Sequence, residues 1–224
     1  MRSGESGIRA FIFDMDGVIV DSNPLHRVAW EEYNRRQGIT TTEAMHQRMY
    51  GKRNDQIVRD FFGDGLSGRE LTPAEIFAHG AAKEELYREM LKPDLEKTLV
   101  PGVRDFLARH GGIPTALATN AEPPNVDFIL DEAGLRHYFR ATVDGHQVEH
   151  PKPHPEVYLR AADLLGMEPQ YCVVFEDSGT GVQAAKAAGM RVVGLATTHE
   201  DLPGVALMIR DFTDPALEQW LNGQ

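Results

Sequence analysis

The amino-acid sequence reads FIFDMDGV from Phe11 to Val18, where an apolar run is followed at once by the carboxylates of Asp14 and Asp16. A short apolar run of this kind is typical of a buried strand in a parallel sheet. Open α/β sheets bind ligands at the carboxyl ends of their strands, so both carboxylates lie where a site is expected. Burying two like charges is costly, which indicates a divalent cation at Asp14. Taken alone, the segment fits a polar turn at a strand end equally well.

Similar apolar runs recur along the chain and alternate with helical patterns. Helical spacing is found in Val103–His110, Pro155–Leu165 and Val182–Ala188, and a glycine follows each of them. The alternation predicts a doubly wound, Rossmann-like α/β core around a mostly parallel sheet. The predicted strands are Ile8–Phe13, Thr115–Ala118, Arg140–Val143, Tyr171–Phe175 and Arg191–Leu195.

The middle of the first half of the chain interrupts this alternation and carries helical patterns instead. Helices are predicted over Leu25–Gln37 and Thr41–Tyr50. The letters TPAE from Thr72 to Glu75 are typical of a capping box, and we expect the helix that begins there to reach Leu91. Two domains are therefore predicted: a core of residues 1–20 and 95–224, and an all-helical insertion at residues 21–94.

Two further predicted loops place polar side chains at the same edge of the sheet. Thr119 and Asn120 end the second strand, where a hydroxyl, an amide and backbone N–H groups can bind phosphoryl oxygens. A helix cap or an Asx turn is the alternative, and for this pair alone it is the better explanation. Lys152 lies in the sequence PKPHP, whose prolines stiffen the loop around a cation that can neutralise a phosphoryl group. For a single lysine, a solvated surface position is the usual alternative.

Glu176 and Asp177 end the fourth predicted strand, ahead of a glycine-rich turn. Carboxylate oxygens are hard ligands that favour Mg²⁺ over softer metals, although acids also favour a helix N-terminus without any metal. In one parallel sheet, all four groups of polar residues converge on one crevice. A nucleophile, a hydroxyl, a cation and metal-binding acids arriving together are far less expected by chance than any one of them.

In this order the motifs resemble those of the haloacid dehalogenase superfamily: Asp14-x-Asp16-Gly17-Val18, Thr119-Asn120, Lys152-Pro153 and Glu176-Asp177. The resemblance covers essentially the whole chain, and the combination is highly specific. The helical insertion after the first motif resembles the mobile cap of the group that includes phosphoglycolate phosphatase and β-phosphoglucomutase.

The resemblance implies a role for each matching residue. Superfamily members that cleave carbon–halogen or carbon–phosphorus bonds lack an acid at the position of Asp16, so its presence implies C–O–P chemistry. The implied roles are Asp14 as nucleophile and metal ligand, Asp16 as acid and base with a metal-binding carbonyl, Thr119 and Lys152 as phosphoryl-binding residues, and Glu176 with Asp177 as the rest of the Mg²⁺ site.

The cap supplies candidate substrate-binding residues. Gly51, Lys52 and Arg53 form a basic loop between two predicted helices, where a cation could bind a second anionic group of the substrate. A plain helix–helix turn is an equally good interpretation. His26 and Lys83 resemble residues of the β-phosphoglucomutase cap. Trp30 and Tyr87 lie on apolar helix faces and are expected to form the interior of the cap.

Two departures separate the chain from the mutase pattern. The basic loop is a residue shorter, and Ala121-Glu122 stands where a polar and a basic residue would follow the second motif. An acid at Glu122 would repel a second phosphate. We therefore expect a Mg²⁺-dependent phosphatase that hydrolyses a small phosphomonoester through an aspartyl-phosphate, with a sugar phosphomutase as the alternative. A binding protein without turnover is disfavoured, because every motif position carries a competent residue.

Composition narrows the partners and the compartment. A net charge of −11 disfavours nucleic acid and anionic membranes, and the first residues lack the apolar stretch of a signal peptide. The single cysteine, Cys172, fits a reducing compartment and is expected to be an inert core residue. His146 and His150 lie in a proline-bounded loop rather than on a helix, which disfavours a zinc site. We expect a cytoplasmic monomer or weak homodimer that acts on a small phosphorylated metabolite.

Overall fold

The computed structural model describes residues 7–49, 52–63 and 70–224, which form two compact units. The first unit, here named the core, comprises the described residues up to Asp21 together with Glu96–Gln224. The second unit, here named the cap, comprises the described part of Ser22–Leu95. No helix among the described residues has both the length and the apolar composition needed to span a bilayer.

Parallel strands build the core. In the described part of the chain they form a six-stranded sheet in the order β3-β2-β1-β4-β5-β6, in which every neighbouring pair is parallel. This order confirms the predicted doubly wound α/β fold. The last strand was not predicted, since three residues at a sheet edge leave little pattern. The strands are β1 Ala10–Phe13, β2 Thr115–Ala118, β3 Ala141–Val143, β4 Cys172–Glu176, β5 Arg191–Leu195 and β6 Leu207–Ile209.

Helices cover the sheet and form the cap. Prolines at the start of several of them fit the helix N-terminus, where the missing N–H is not needed. The described helices are α1 Asn23–Arg36, α2 Glu43–Met49, α3 Asn54–Phe62, α4 Pro73–Leu91, α5 Leu95–Thr98, α6 Val103–Arg109, α7 Pro123–Glu132, α8 Glu156–Leu165, α9 Gly179–Ala187 and α10 Pro215–Asn222. Short 3₁₀ turns lie at Lys92–Asp94, Arg136–Tyr138 and Pro169–Tyr171.

Strand β1 is buried on both faces, as its uninterrupted apolar sequence predicts. Side chains alternate between faces. The rings of Phe11 and Phe13 pack against Phe106 of α6, with centroid distances of 5.5 and 6.2 Å. Ala10 and Ile12 belong to a separate hydrophobic cluster with residues of α8 and α9. Each buried phenylalanine contributes roughly 1.5–3 kcal/mol relative to an exposed ring.

The strand register sets where the polar residues emerge. Phe13 pairs with Leu117 of β2 and with Phe175 of β4. All three strands run in the same direction, so the residues after them leave the sheet at one edge. Asp14 is therefore carried to the same edge as Thr119 and Asp177.

The single cysteine is a buried member of this sheet. Cys172 begins β4 and is 0% exposed. Burial raises the pKa of its thiol to about 11, so the thiol stays protonated at neutral pH. This confirms the predicted inert core position.

All the regular secondary structure in the described part of the cap is helical. Thr72 accepts a hydrogen bond from the N–H of Glu75, and Glu75 Oε2 accepts one from the N–H of Thr72, which confirms the predicted capping box. Trp30 and Tyr87 are 1% and 0% exposed, as expected for the cap interior. Helix α3 begins at Asn54, directly after the predicted basic loop.

Candidate active site

Lys152 occupies the centre of a buried charged cluster in the core. Its side chain is 3% exposed, and Nζ lies 2.9 Å from Asp14 Oδ1 and 2.7 Å from Glu176 Oε1. Burial alone lowers the pKa of a lysine, but the charges of Asp14 and Glu176 outweigh it and raise the pKa of Lys152. The side chain is therefore a fixed ammonium group. The alternative of a solvated surface position for Lys152 is excluded by this burial.

Glu176 ends β4 fully buried, and its carboxylate is saturated with hydrogen bonds. Oε1 accepts from Lys152 Nζ and from the hydroxyl of Tyr158, each at 2.7 Å. Oε2 accepts from the backbone N–H groups of Asp177 and Ser178 and from Ser178 Oγ, each at 2.9 Å. Despite its burial, the charge of Lys152 and these hydrogen bonds hold the pKa of Glu176 below its usual value. Glu176 thus fixes the ammonium group in place.

Tyr158 was not predicted as a site residue. It lies on α8 with 0% exposure, and the Lys152 ammonium group sits 4.8 Å from the centre of its ring, a cation–π distance. Burial, followed by the charges of Glu176 and Asp14, raises the pKa of Tyr158 well above its usual value, so the hydroxyl remains a donor. In sequence, a tyrosine on an apolar helix face indicates packing, and nothing in its neighbourhood signals this contact.

Asp14 carries the charge that Lys152 does not fully balance. Burial raises the pKa of its carboxyl group, Lys152 lowers it, and the negative charges of Glu176 and Asp16 raise it further. Oδ1 is buried and, among the described residues, accepts no hydrogen bond with good angles, although the Lys152 ion pair is close. The carboxylate therefore already faces one cation, the Lys152 ammonium group, and has further lone pairs with which it can bind a metal ion.

Asp177 adds a third buried carboxylate. Burial, with the charges of Glu176 and Asp14, raises the pKa of Asp177 well above its usual value. Its Oδ2 accepts a hydrogen bond from Thr198 Oγ1 and rests against Gly17, where a Cβ atom would lie 1.9 Å away. Gly17 has a φ of +75°, so this turn requires glycine both for its left-handed backbone and for the absence of a Cβ atom that would clash with Asp177.

The loop after β5 reaches the same point. Thr197 Oγ1 donates a hydrogen bond of 2.6 Å to the carbonyl of Gly17, next to the Thr198 contact with Asp177. Neither threonine was predicted from sequence, because only the order of β4 and β5 in the sheet brings them near the first motif.

The residues at this edge fit a hard divalent cation. Asp14, Glu176 and Asp177 each offer an oxygen, and these atoms all lie within 4.8 Å of one another. Three carboxylates beside one ammonium group leave an excess of buried negative charge, which a divalent cation offsets. Oxygen ligands favour Mg²⁺. Since the Glu176 oxygens are already held by protein donors, Asp14 and Asp177 are the better placed of the three to bind the ion.

The remaining predicted core residues lie at the same edge. Thr119 is 2% exposed, and its Oγ1 accepts a hydrogen bond of 3.1 Å from the N–H of Ala121. Asn120 Oδ1 accepts one of 3.2 Å from the N–H of Lys152, so it ties the lysine loop to β2. Asp16 is partly exposed on the turn after β1, where its charge affects Asp14.

The predicted cap residues fall into two groups. Lys83 is 1% exposed, and Nζ lies 2.7 Å from His26 Nδ1 and 2.8 Å from Glu84 Oε1, so two of the predicted residues meet inside the cap. Lys52 instead pairs with Asp60 at 2.6 Å. Arg53 Nε lies 3.6 Å from Asp55 Oδ1. Gly51 lies outside the described residues.

Comparisons with known proteins identify the family and the shared fold. The sequence model of the family described as haloacid dehalogenase-like hydrolase matches residues 8–189. Fructose-1-phosphate phosphatase YqaB of Escherichia coli (strain K12) is 38% identical over 184 residues, covering 81% of this chain and 93% of that protein. Beta-phosphoglucomutase of Bacillus subtilis (strain 168) is 29% identical over 213 residues, covering 94% and 93%. The crystal structure of a β-phosphoglucomutase from Clostridium difficile matches with a TM-score of 0.83 at 24% identity, covering 96% of this chain and 97% of that chain, which shows the shared fold.

Two glycines of one turn give a matched test of the cluster. A Cβ atom at Gly181 would lie 1.6 Å from Glu176 Oε1, whereas one at Gly179 meets nothing within 4 Å. We expect Gly181→Ala to push the Glu176 carboxylate off its donors and lower the free energy of unfolding by about 1–3 kcal/mol. Gly179→Ala should leave the free energy of unfolding unchanged or raise it slightly. Urea unfolding measures both, and equal stabilities of the two variants would contradict the packing described.

The Tyr158 hydroxyl can be tested in the same way. Tyr158→Phe keeps the ring beside Lys152 but removes a donor to a buried carboxylate, which should lower the free energy of unfolding by about 1.5–3 kcal/mol. Tyr171→Phe serves as the control, because that ring packs against Arg9 at 4.6 Å, away from the cluster. A similar small loss in both variants would show that the hydroxyl does not hold Glu176.

Proposed function

The chain belongs to the haloacid dehalogenase-like hydrolase family, and we propose that it is a Mg²⁺-dependent phosphatase that hydrolyses phosphorylated sugars through an aspartyl-phosphate on Asp14. The observation that carries the proposal is the buried cluster of Lys152 with Asp14, Glu176 and Asp177. Such a cluster supplies a nucleophilic carboxylate, a fixed ammonium group and oxygen ligands for a hard cation within a few ångströms.

The first half-reaction forms the covalent intermediate. Asp14 attacks phosphorus in line, the bond to the ester oxygen breaks, and Asp16 donates a proton to the departing alkoxide. Lys152 neutralises the phosphoryl oxygens, and the Thr119 hydroxyl donates a hydrogen bond to one of them. Asp14 and Asp177 would hold a Mg²⁺ ion, whose positive charge would lower the repulsion between the nucleophile and the phosphoryl group.

The second half-reaction restores the enzyme. Asp16, now ionised, takes a proton from water, and the resulting hydroxide attacks phosphorus and displaces the Asp14 carboxylate. The products are the alcohol and inorganic phosphate. Asp16 is suited to both roles because it lies two residues after Asp14 and is partly exposed, so that the leaving group and then water can reach it.

The sugar substrate class is supported by the relative named fructose-1-phosphate phosphatase. The mutase alternative is supported by the similarity to the B. subtilis enzyme, although that identity is lower, 29% against 38%. It is opposed by Glu122, which directly precedes α7 beside the second motif. An acid there disfavours a second phosphate. Within the cap, His26 and Lys83 are proposed to bind the substrate, together with Lys52 and Arg53 of the basic loop.

Replacing the nucleophile separates chemistry from folding. We expect Asp14→Asn to abolish Mg²⁺-dependent hydrolysis of p-nitrophenyl phosphate, since a carboxamide cannot form the acyl phosphate, while the circular dichroism spectrum stays unchanged. Asp144→Asn is the control: that carboxylate also follows a strand of the sheet, but it accepts a hydrogen bond from the His146 N–H, which an amide oxygen can still accept. Turnover by the Asp14→Asn protein would overturn the assignment.

A panel of one- and two-phosphate sugars separates phosphatase from mutase. With Mg²⁺ and fructose 1-phosphate we expect release of inorganic phosphate, lost when the metal is chelated. With β-glucose 1-phosphate we expect free glucose and phosphate. Formation of glucose 6-phosphate without net phosphate release would establish the mutase instead, and inactivity on the whole panel would remove the proposed substrate class.

A further inference from the structure

A second group of metal-binding side chains lies in the loop between β3 and α8. His150 Nδ1 lies 3.0 Å and His154 Nδ1 lies 3.8 Å from Glu156 Oε2. The imidazole centroids are 4.6 Å apart. Each of the three residues offers one ligand atom, and these atoms all lie within 4.8 Å of one another. Two nitrogen ligands and one carboxylate are thus already gathered at one point of the core surface.

The loop holds this arrangement before any ion binds. Prolines at positions 151, 153 and 155 restrict the backbone between the ligands, and the His154 N–H donates to the Pro151 carbonyl at 3.0 Å. Glu156 is fixed from both sides, because Oε1 accepts from the Glu149 N–H at 2.8 Å and Oε2 from the His150 N–H at 3.0 Å. Hydrogen bonds of this kind orient a carboxylate ligand and leave further lone pairs for a metal.

The ligand is also charged at neutral pH. The hydrogen bond from the Glu149 N–H, followed by that from the His150 N–H, lowers the pKa of Glu156. Glu156 is the first residue of α8, and its negative charge offsets the positive end of the helix dipole that would otherwise repel a cation.

The distances are compatible with a tetrahedral metal site, and the two nitrogen ligands favour a transition metal over Mg²⁺. Bonds of zinc to nitrogen and oxygen near 2.1 Å place neighbouring tetrahedral ligands about 3.3 Å apart. The two separations from Glu156 Oε2, 3.0 and 3.8 Å, lie on either side of that value. Both histidine side chains are half exposed, so small ring rotations suffice. Coordination would replace two existing contacts, the hydrogen bond of 3.0 Å between His150 Nδ1 and Glu156 Oε2 and the hydrogen bond of 3.3 Å from the Glu156 N–H to His154 Nδ1. Imidazole ligands favour Zn²⁺, Ni²⁺ and Cu²⁺ over Mg²⁺.

We infer that His150, His154 and Glu156 form a binding site for one divalent transition-metal ion, separate from the oxygen-ligand site at Asp14. The histidine that joins His150 in this site is His154 rather than His146. Lys152 lies between the two histidines in the chain, so an ion bound here joins the two ends of the loop that holds the central ammonium group.

The test is isothermal titration calorimetry, in which the untagged full chain is titrated with Zn²⁺ in the presence of saturating Mg²⁺. We expect a Zn²⁺-binding event that His150→Ala and His154→Ala each weaken by at least about tenfold, as loss of an interaction around a metal site typically does. His146→Ala is the matched control, an exposed histidine of the same loop, and should bind as the parent does. Thermal unfolding of the metal-free variants checks that they fold.

Electron paramagnetic resonance with Cu²⁺ distinguishes the two sites. The oxygen ligands at Asp14, Glu176 and Asp177 cannot produce nitrogen couplings, whereas imidazole ligands do. We expect such couplings in the parent and their loss when both histidines are replaced. Zn²⁺ binding that survives both replacements, or a parent spectrum without nitrogen couplings, would overturn the inference.

Discussion

The ion pairs between the Lys152 ammonium group and the carboxylates of Asp14 and Glu176 hold the charged centre of this protein together. The side chains of Lys152 and Glu176 are 3% and 0% exposed and that of Asp14 is 12% exposed, so these charges depend on one another for stability. Removing one member of such a buried group is typically far more destabilising than removing a surface ion pair, because the remaining charge stays buried and uncompensated. The same positive charge that permits the fold to bury two acids is the one that a phosphoryl group would meet.

Several elements from distant parts of the chain converge on this lysine. Asn120 accepts a hydrogen bond from the backbone N–H of Lys152, the ring of Tyr158 lies against the ammonium group, and Glu176 accepts a hydrogen bond from that group. A long flexible side chain would otherwise lose much conformational freedom on binding an anion. Here that freedom is already lost on folding, so the ammonium group is preorganised for a developing negative charge.

The sequence was informative wherever one strand and the turn after it carried the signal. The buried strand before Asp14, the capping box at Thr72 and the doubly wound α/β core were all predicted from local pattern. Strand β6 was missed because an edge strand of three residues has too little periodicity. Tyr158, Thr197 and Thr198 were missed for a different reason. Their hydrogen bonds join residues that are neighbours only in the folded sheet, and a tyrosine or threonine has no spacing that announces such a partner.

The position of β1 in the sheet has a consequence for how the chain is made. This strand precedes all other described strands in sequence, yet it lies between β2 and β4, which follow it by roughly one hundred and one hundred and sixty residues. During synthesis its apolar edges therefore remain without partners until much of the polypeptide has left the ribosome. Exposed strand edges of this kind promote aggregation, so the yield of folded protein in the cell is expected to depend on how well the segment that carries β1 is shielded until β2 and β4 have been made.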